Sequence, residues 1–230
     1  VHPAQFSVSL MCLDFMDAGT QIDILNARAD AFHMDIMDGH FAPNLTLSPD
    51  FVGATGRRAR LPMEVHLMTE TPNQWLEQLA KAGAKTLSVH AETITRDTFR
   101  TLNRIRDLGC DVGLVLNPGT PLNQVGDYLS RVDLLTLMTV YVGFANQPFI
   151  PEVLDKVRDA VRRREAEGFG YAIQIDGACN GHTFGLLREA GADVFVLGNS
   201  GFFGLDPDLP TAWDKMVASY EHATGEHVGG

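Results

Sequence analysis

Ala80-Lys81-Ala82-Gly83-Ala84-Lys85 is the stretch on which the fold turns. It closes a helical pattern with glycine and runs directly into the apolar segment 86–90. Glycine suits that place because the residue just past a helix usually takes a positive φ. Arg106-Asp107-Leu108-Gly109-Cys110-Asp111 and Glu189-Ala190-Gly191-Ala192-Asp193 repeat the device. Gly83 and Gly109 are 26 residues apart, and Gly109 and Gly191 are 82 apart, about three such units. Eight β–α units at that pitch fill most of a 230-residue chain.

Working outward from the repeat, strand patterns fall at 5–10, 31–37, 63–68, 86–90, 112–116, 134–140, 173–176 and 194–198. Helical patterns lie between them: one from Asp17, one capped by Ser48 and started by Pro49, one over 72–82 and one over 96–108. Strands that alternate with helices imply a parallel sheet, and eight of them predict a closed (β/α)8 TIM barrel. The alternative, a doubly wound open sheet, is weakened because no Gly-x-Gly-x-x-Gly follows the first strand. No linker or change of composition divides the chain. One α/β domain is therefore expected over residues 1–222, with 223–230 as a fraying tail.

Composition narrows the function. Hydrophobic residues make up 45% of the chain and the mean hydropathy is −0.03, as for a globular protein with a sizeable core. No run approaches the roughly 18 apolar residues that cross a bilayer. A net charge of −11 argues against nucleic acid or an anionic membrane as partner. The densest basic cluster, Arg162-Arg163-Arg164, is followed by Glu165 and Glu167 and reads as a solvated helix face. Residues 1–5 show no basic region followed by an apolar stretch, so no secretory leader is expected in them. Three scattered cysteines, Cys12, Cys110 and Cys179, are odd in number and argue against a disulfide framework, which suggests the reducing cytoplasm.

In such a barrel chemistry belongs at the C-terminal ends of the strands. Side chains alternate along a strand, so His33 and Asp35 share one face of the second strand, while Met34, Ile36 and Asp38 share the other. A lone His-x-Asp is more often a hydrogen-bonded core pair. Here, however, His66 on the third strand and Asp176 at the end of the seventh would meet them at one rim. Two imidazoles and two carboxylates suit one divalent ion, Zn2+, Mn2+, Fe2+ or Co2+, better than Ca2+. Such an ion on a ketone oxygen would stabilise the enediolate formed when the neighbouring carbon loses a proton. Asp35 and Asp176, facing opposite sides of the substrate, could take one proton and return another, inverting a stereocentre. The site motifs contain no lysine or arginine, so an anionic group would be held by backbone N–H groups. The candidate loops are Gly143-Phe144-Ala145-Asn146, Gly177-Ala178 and Gly198-Asn199-Ser200.

The segments His33-Met34-Asp35-Ile36-Met37-Asp38-Gly39-His40-Phe41, Val65-His66-Leu67-Met68, Gly143-Phe144 with Gln147, and Ile175-Asp176-Gly177 together resemble the ribulose-phosphate 3-epimerase family. The likeness runs in order from about Ser7 to Phe203. Leu47-Ser48-Pro49, Glu92-Thr93-Ile94, Gln147-Pro148-Phe149-Ile150-Pro151-Glu152, Leu154-Asp155-Lys156 and Ser200-Gly201-Phe202-Phe203 resemble its D-allulose-6-phosphate 3-epimerase branch more closely. The resemblance implies a barrel with one divalent ion held by His33, Asp35, His66 and Asp176, with Asp35 and Asp176 doubling as acid and base. It also implies that Ser9 and His66 contact substrate. A phosphorylated ketose is the expected partner and a homo-oligomer the expected assembly. Three positions depart from the family pattern. Tyr141-Val142 replaces an acidic residue and proline, Asn146 replaces a small residue, and Asn199 stands where serine or threonine is usual; all bear on which sugar is accepted.

The remaining polar and sulfur residues read as structural or supporting. Met11, Met37, Met68 and Met138 lie near strand ends, and core filling is the simpler reading of each, although similar methionines cover the enediolate in the family. Cys179 has no basic neighbour and reads as structural. Glu64 shares a face with His66 and suits a buried supporting role. His40 and His90 read as hydrogen-bonded structural histidines, and Asp38 as the anchor of the next turn. The chain thus predicts a metal-dependent 3-epimerase of a ketose phosphate, D-allulose 6-phosphate to D-fructose 6-phosphate first. D-ribulose 5-phosphate or a shorter keto-sugar phosphate is the alternative within the class. A metal-dependent hydrolase and a non-catalytic sugar-phosphate sensor are the alternatives outside it.

Overall fold

The computed structural model describes residues 3–228. Eight parallel strands close on themselves in chain order. They are β1 (Gln5–Ser9), β2 (Ala31–Met37), β3 (Met63–Met68), β4 (Thr86–His90), β5 (Asp111–Leu116), β6 (Leu134–Met138), β7 (Ala172–Asp176) and β8 (Val194–Leu197). Closure is made by β8 against β1, with Val194 beside Gln5 and Leu197 beside Val8. Helices α1 (Ala18–Leu25), α2 (Pro49–Gly56), α3 (Leu76–Lys81), α4 (Thr98–Asp107), α5 (Val153–Glu167), α6 (Phe184–Ala190) and α7 (Leu209–Thr224) surround the sheet. A 3-10 helix, Leu122–Arg131, replaces an α-helix between β5 and β6. The molecule is a single-domain TIM barrel, and none of the described helices is long and apolar enough to cross a membrane.

The glycines of the repeat adopt the geometry that the sequence predicts: φ is +103° at Gly83, +80° at Gly109 and +107° at Gly191. Ser48 caps α2 by accepting from the Phe51 N–H, with Pro49 at the first helical position. Several boundaries move. The first strand stops at Ser9 because Leu10–Cys12 forms a 3-10 turn. The sixth stops at Met138, where the chain leaves the ladder after the Thr139 N–H pairs with the Asp176 carbonyl. The helix expected over 72–82 is split into a 3-10 turn, Pro72–Gln74, and α3. Helix α7 runs through Thr224, two residues into the expected tail. Beyond it, Glu226 pairs with Arg188 and accepts from the Tyr220 hydroxyl. Residues 229–230 of that tail lie outside the described residues.

The two faces of each strand differ in chemistry. Outward residues such as Phe32, Met34, Ile36, Val65 and Leu67 join the main apolar core against the helices. Inward positions are largely polar yet buried: Ser7, His33, Glu64, His66, Ser88, His90, Thr136 and Gln174. Most buried polar groups in folded proteins are paired, and all of these but Ser7, whose hydroxyl has no hydrogen-bond partner among the described residues, pair across the barrel. Glu64 Oε1 accepts from Ser88, Glu64 Oε2 accepts from Gln174, and Gln174 also donates to Thr136. This network is the floor on which the site is built.

Candidate active site and metal centre

Register places the four expected ligands. Asp35 lies beside His66 in the β2–β3 pair, and Asp176 ends β7, so all four point inward near the C-terminal rim. One ligand atom from each of His33, Asp35, His66 and Asp176 lies within 4.8 Å of the others. His33 Nε2 is 3.2 Å from both Asp35 Oδ1 and His66 Nδ1, and His66 Nδ1 is 3.3 Å from Asp176 Oδ2.

Each ligand is oriented from behind. The other nitrogen of His33, Nδ1, lies 2.8 Å from Glu64 Oε2, and Asp35 Oδ2 accepts from the Ser9 hydroxyl at 2.6 Å. His66 Nε2 lies 2.9 Å from His90 Nε2. Such outer contacts fix ring orientation and leave the inner nitrogens free to ligate.

The electrostatics favour positive charge at the centre. Burial alone would lower His33, but the charges of Asp35 and Glu64 outweigh it and hold the imidazole well above its ordinary value. Burial likewise opposes the rise at His66, where hydrogen bonds to Asp176 and Asp35 prevail. The carboxyls of Asp35 and Asp176 are both pulled down, against burial, by the two histidines. A mixed N/O set around a point that attracts a cation fits a divalent transition ion.

Above the centre opens a cleft. Its wall includes Ser9, Asp35, Gly143, Phe144, Ala145, Asn146, Asp176, Gly177, Ala178, Gly198, Asn199 and Ser200, all expected at the site. His66, expected to touch substrate, is fully buried beneath the cleft and is not part of its wall. No lysine or arginine lines it among the described residues.

Met37, Met68 and Met138 are buried, as core filler would be, and together with Met11 they also line the cleft. Met37 and Met68 pack with Ala42, and Met138 with Val115 and Val140, in two small clusters apart from the main core. Cys12, Tyr141, Val142, Gln147 and Cys179 complete most of the rest. Cys179 is fully buried and burial pushes its thiol far up, as suits a structural residue. Burial and the nearby Asp35 charge raise Cys12 to about 11. Asp38 accepts from the N–H groups of His40, Phe41 and Glu70 and so anchors its turn as expected.

Two loops meet across the mouth. The β2 loop reaches the β6 loop where Asn44 Nδ2 donates to the Gly143 carbonyl at 2.7 Å. Gly143 has φ +126° and a Cβ there would sit 3.0 Å from Pro43 Cδ, so only glycine fits. Asn146 adopts a left-handed φ of +59°, and Gln147 Nε2 donates to the carbonyls of Tyr141 and Phe144. His90 is a buried, hydrogen-bonded histidine as expected; that its partner is a candidate ligand is revealed only by the pairing of β3 with β4.

Comparison with known proteins agrees with this geometry. The family model for the ribulose-phosphate 3 epimerase family matches residues 5–203. Ribulose-phosphate 3-epimerase of Bacillus subtilis (strain 168) is 41% identical over 194 residues, covering 84% of this chain and 89% of that protein. Its counterpart in Escherichia coli (strain K12) is 36% identical over 210 residues, covering 90% and 92%. These names do not support the expected closer kinship to the D-allulose-6-phosphate branch. Among solved structures, KGPDC from Streptococcus mutans superposes with TM-score 0.69 at 10% identity, over 96% of this chain and 99% of that one. 3-Hexulose-6-phosphate synthase from Salmonella typhimurium superposes with TM-score 0.65 at 14% identity, over 95% and 99%. At such identities the likeness speaks to the barrel alone. On family model, sequence identity and ligand cluster together, the chain belongs to the ribulose-phosphate 3-epimerase family, isomerases that act on sugar phosphates.

Proposed function

We propose that the protein inverts carbon 3 of a ketose phosphate, with D-ribulose 5-phosphate and D-xylulose 5-phosphate as the substrate pair. The observation that carries the reaction is the placement of Asp35 and Asp176. They project from strands on different sides of the barrel axis, both line the cleft, and both contact the same two imidazoles. The names of the relatives support the pentose pair.

His33, Asp35, His66 and Asp176 would hold a divalent ion, which when bound would supply positive charge for the substrate oxygen that becomes negative. One carboxylate takes the carbon-3 proton, and the electron pair of that C–H bond moves into the enediolate. The other enters the cycle protonated and delivers its proton to the opposite face, so the configuration inverts; in the reverse direction the roles exchange. Ser9 holds Asp35 in place through its 2.6 Å hydrogen bond. Methionine side chains around the centre keep water from the carbanion. The phosphate is assigned to the backbone of the loops Gly143–Asn146, Gly177-Ala178 and Gly198–Ser200, because among the described residues the wall offers no basic side chain.

A second substrate reading, D-allulose 6-phosphate, rests on the likeness of segments such as Gln147–Glu152 and Ser200–Phe203 to that branch, and the β6 loop bears on the choice between the two. Tyr141, Val142 and Asn146 all line the cleft, and there they shape the space for the sugar tail. Three free cysteines accord with a reducing cytoplasm. A homo-oligomer is part of the same reading, supported by the exposed Phe15, Met16 and Leu45, and is checked by sedimentation.

The test is proton exchange. Purified protein in D2O is given each ketose phosphate, with and without chelator, and the carbon-3 proton is followed by NMR. Deuterium should enter only with metal present, and fastest with the physiological sugar. Release of inorganic phosphate would instead indicate a hydrolase, and binding without exchange a sensor.

A further inference from the structure

Both ring nitrogens of His66 are engaged. Nδ1 faces the four-ligand centre, and Nε2 faces away from it, 2.9 Å from His90 Nε2. Two imidazole nitrogens that close share one proton, so one donates and the other accepts. The two rings alone leave that order open. It is settled one step further out, where His90 Nδ1 lies 3.3 Å from Glu92 Oε2. A carboxylate can only accept, so His90 carries its proton on Nδ1 and keeps a lone pair on Nε2. His66 must then donate from Nε2, which leaves the Nδ1 lone pair for a cation.

The chain of contacts is rigid. His90 is fully buried, with its ring between His66, at 5.0 Å between centroids, and Phe41, at 4.6 Å. The other oxygen of Glu92 accepts from the Asn117 N–H at 2.9 Å and from the Thr120 hydroxyl. Lys156 Nζ in turn donates to the carbonyls of Asn117 and Pro118, so the loop that holds Glu92 is itself tied down.

We propose that His90 and Glu92 form a relay of positioning residues that fixes the tautomer of His66 and so determines whether His66 can bind the cation. For His33 the same task falls to Glu64 directly, at 2.8 Å; for His66 it is passed through a second imidazole. The inference rests on the metal reading of the centre.

Glu92→Gln isolates the effect because it preserves shape. The amide has one accepting oxygen and one donating nitrogen. The Asn117 N–H can only donate, so the oxygen turns to it and the NH2 group turns to His90 Nδ1. His90 then accepts at Nδ1 and carries its proton on Nε2. His66 Nε2 must accept, and its remaining proton sits on Nδ1, facing the centre. A structural role for Glu92 predicts no such reversal.

The test is Zn2+ affinity, measured by competition with a chromophoric chelator for the wild type, Glu92→Gln, His90→Phe and the double variant. Glu92→Gln should weaken Zn2+ about 10- to 100-fold with its circular dichroism spectrum, and so its fold, preserved. Once His90 is phenylalanine, adding Glu92→Gln should cost less than about twofold, because the link is already cut. Long-range 1H–15N NMR of the Zn2+-loaded wild type should place protons on His90 Nδ1 and His66 Nε2. Wild-type binding with no loss in Glu92→Gln, a loss that persists without His90, or a proton on His90 Nε2 would overturn the relay alone. A wild type that binds no Zn2+ at these residues would overturn the metal reading and the relay with it.

Discussion

Among the four ligand candidates Asp176 is the most open to the cleft: 15% of its side chain is exposed, against 5% for Asp35 and none for His33. It is the carboxylate a substrate meets first. Asp176→Asn keeps the volume and removes the ability to exchange a proton, so turnover should fall at least about 100-fold, with the circular dichroism spectrum unchanged. An active variant would exclude Asp176 as acid or base. Glu92 makes a different prediction, about stability. Burial tends to raise its carboxyl, but hydrogen bonds from His90, Thr120 and Asn117 hold it at about 2 against an ordinary 4.5. The folded state thus favours the ionised form. That stabilisation is complete above the unfolded value and is lost as pH falls from about 4.5 toward 2. In urea denaturation of metal-free protein, the gap between the wild type and Glu92→Gln should narrow over that window. A gap that stays constant would mean that Glu92 is not held in its charged form by the fold.

At the scale of elements, the β2 and β6 loops act as one wall. Thr46 Oγ1 donates to the Asp35 carbonyl at 2.5 Å, and Asp38 bridges to Leu45, so the β2 loop is pinned to the strand that carries two ligands. Asn44 extends that pin to Gly143 in the loop assigned to phosphate. Asn44→Ala removes one hydrogen bond, about 0.5–1.5 kcal/mol, and KM for the ketose phosphate should rise about 2- to 10-fold while kcat changes less. Steady-state kinetics decide, and an unchanged KM would leave the latch without a role in binding. None of this was legible in the sequence, because Asn44 and Gly143 are 99 residues apart and nothing local pairs them. Strands β2, β3 and β4 were legible to the residue, since their apolar runs stop where turn residues begin. The end of β6 was not: Thr139 and Val140 read as strand, but pairing with β7 ends at Met138 beside Asp176. The four ligands could be found because strand alternation fixes which side chains face inward. His90 was visible as a residue but not as a partner of His66, since hydrogen bonds between strands depend on register and ring orientation. The methionines posed the same difficulty, because an apolar residue at a strand end fits a core and a cleft wall equally well.

For the whole molecule, the polar interior of the barrel matters most. Barrels of this kind usually fill the centre with branched apolar side chains, whereas this one buries His33, Asp35, Glu64, His66, Ser88, His90 and Gln174. Charged groups in such a place cost stability unless each is paired, and the carboxylates of Asp35 and Asp176 repel one another. A divalent ion among them would relieve that repulsion. Bound there, it would also tie together β2, β3 and β7, which supply the four candidate ligands. Stability and activity should therefore respond to the same ion. An ion that binds only the folded state adds about 2.7 kcal/mol at a free concentration of 100 Kd. For a domain of this size that raises the melting temperature by roughly 5–10 °C. Treatment with EDTA should abolish carbon-3 exchange and lower the melting temperature together. Zn2+, Mn2+, Fe2+ or Co2+, added singly, should restore both at matching free concentrations, and Ca2+ should restore neither, because the donor set is half imidazole. Scanning calorimetry against free ion, beside turnover at the same concentrations, separates the possibilities. If turnover requires the ion while the melting temperature ignores it, the ion arrives with the substrate, and the buried polar floor owes its stability to its own hydrogen bonds.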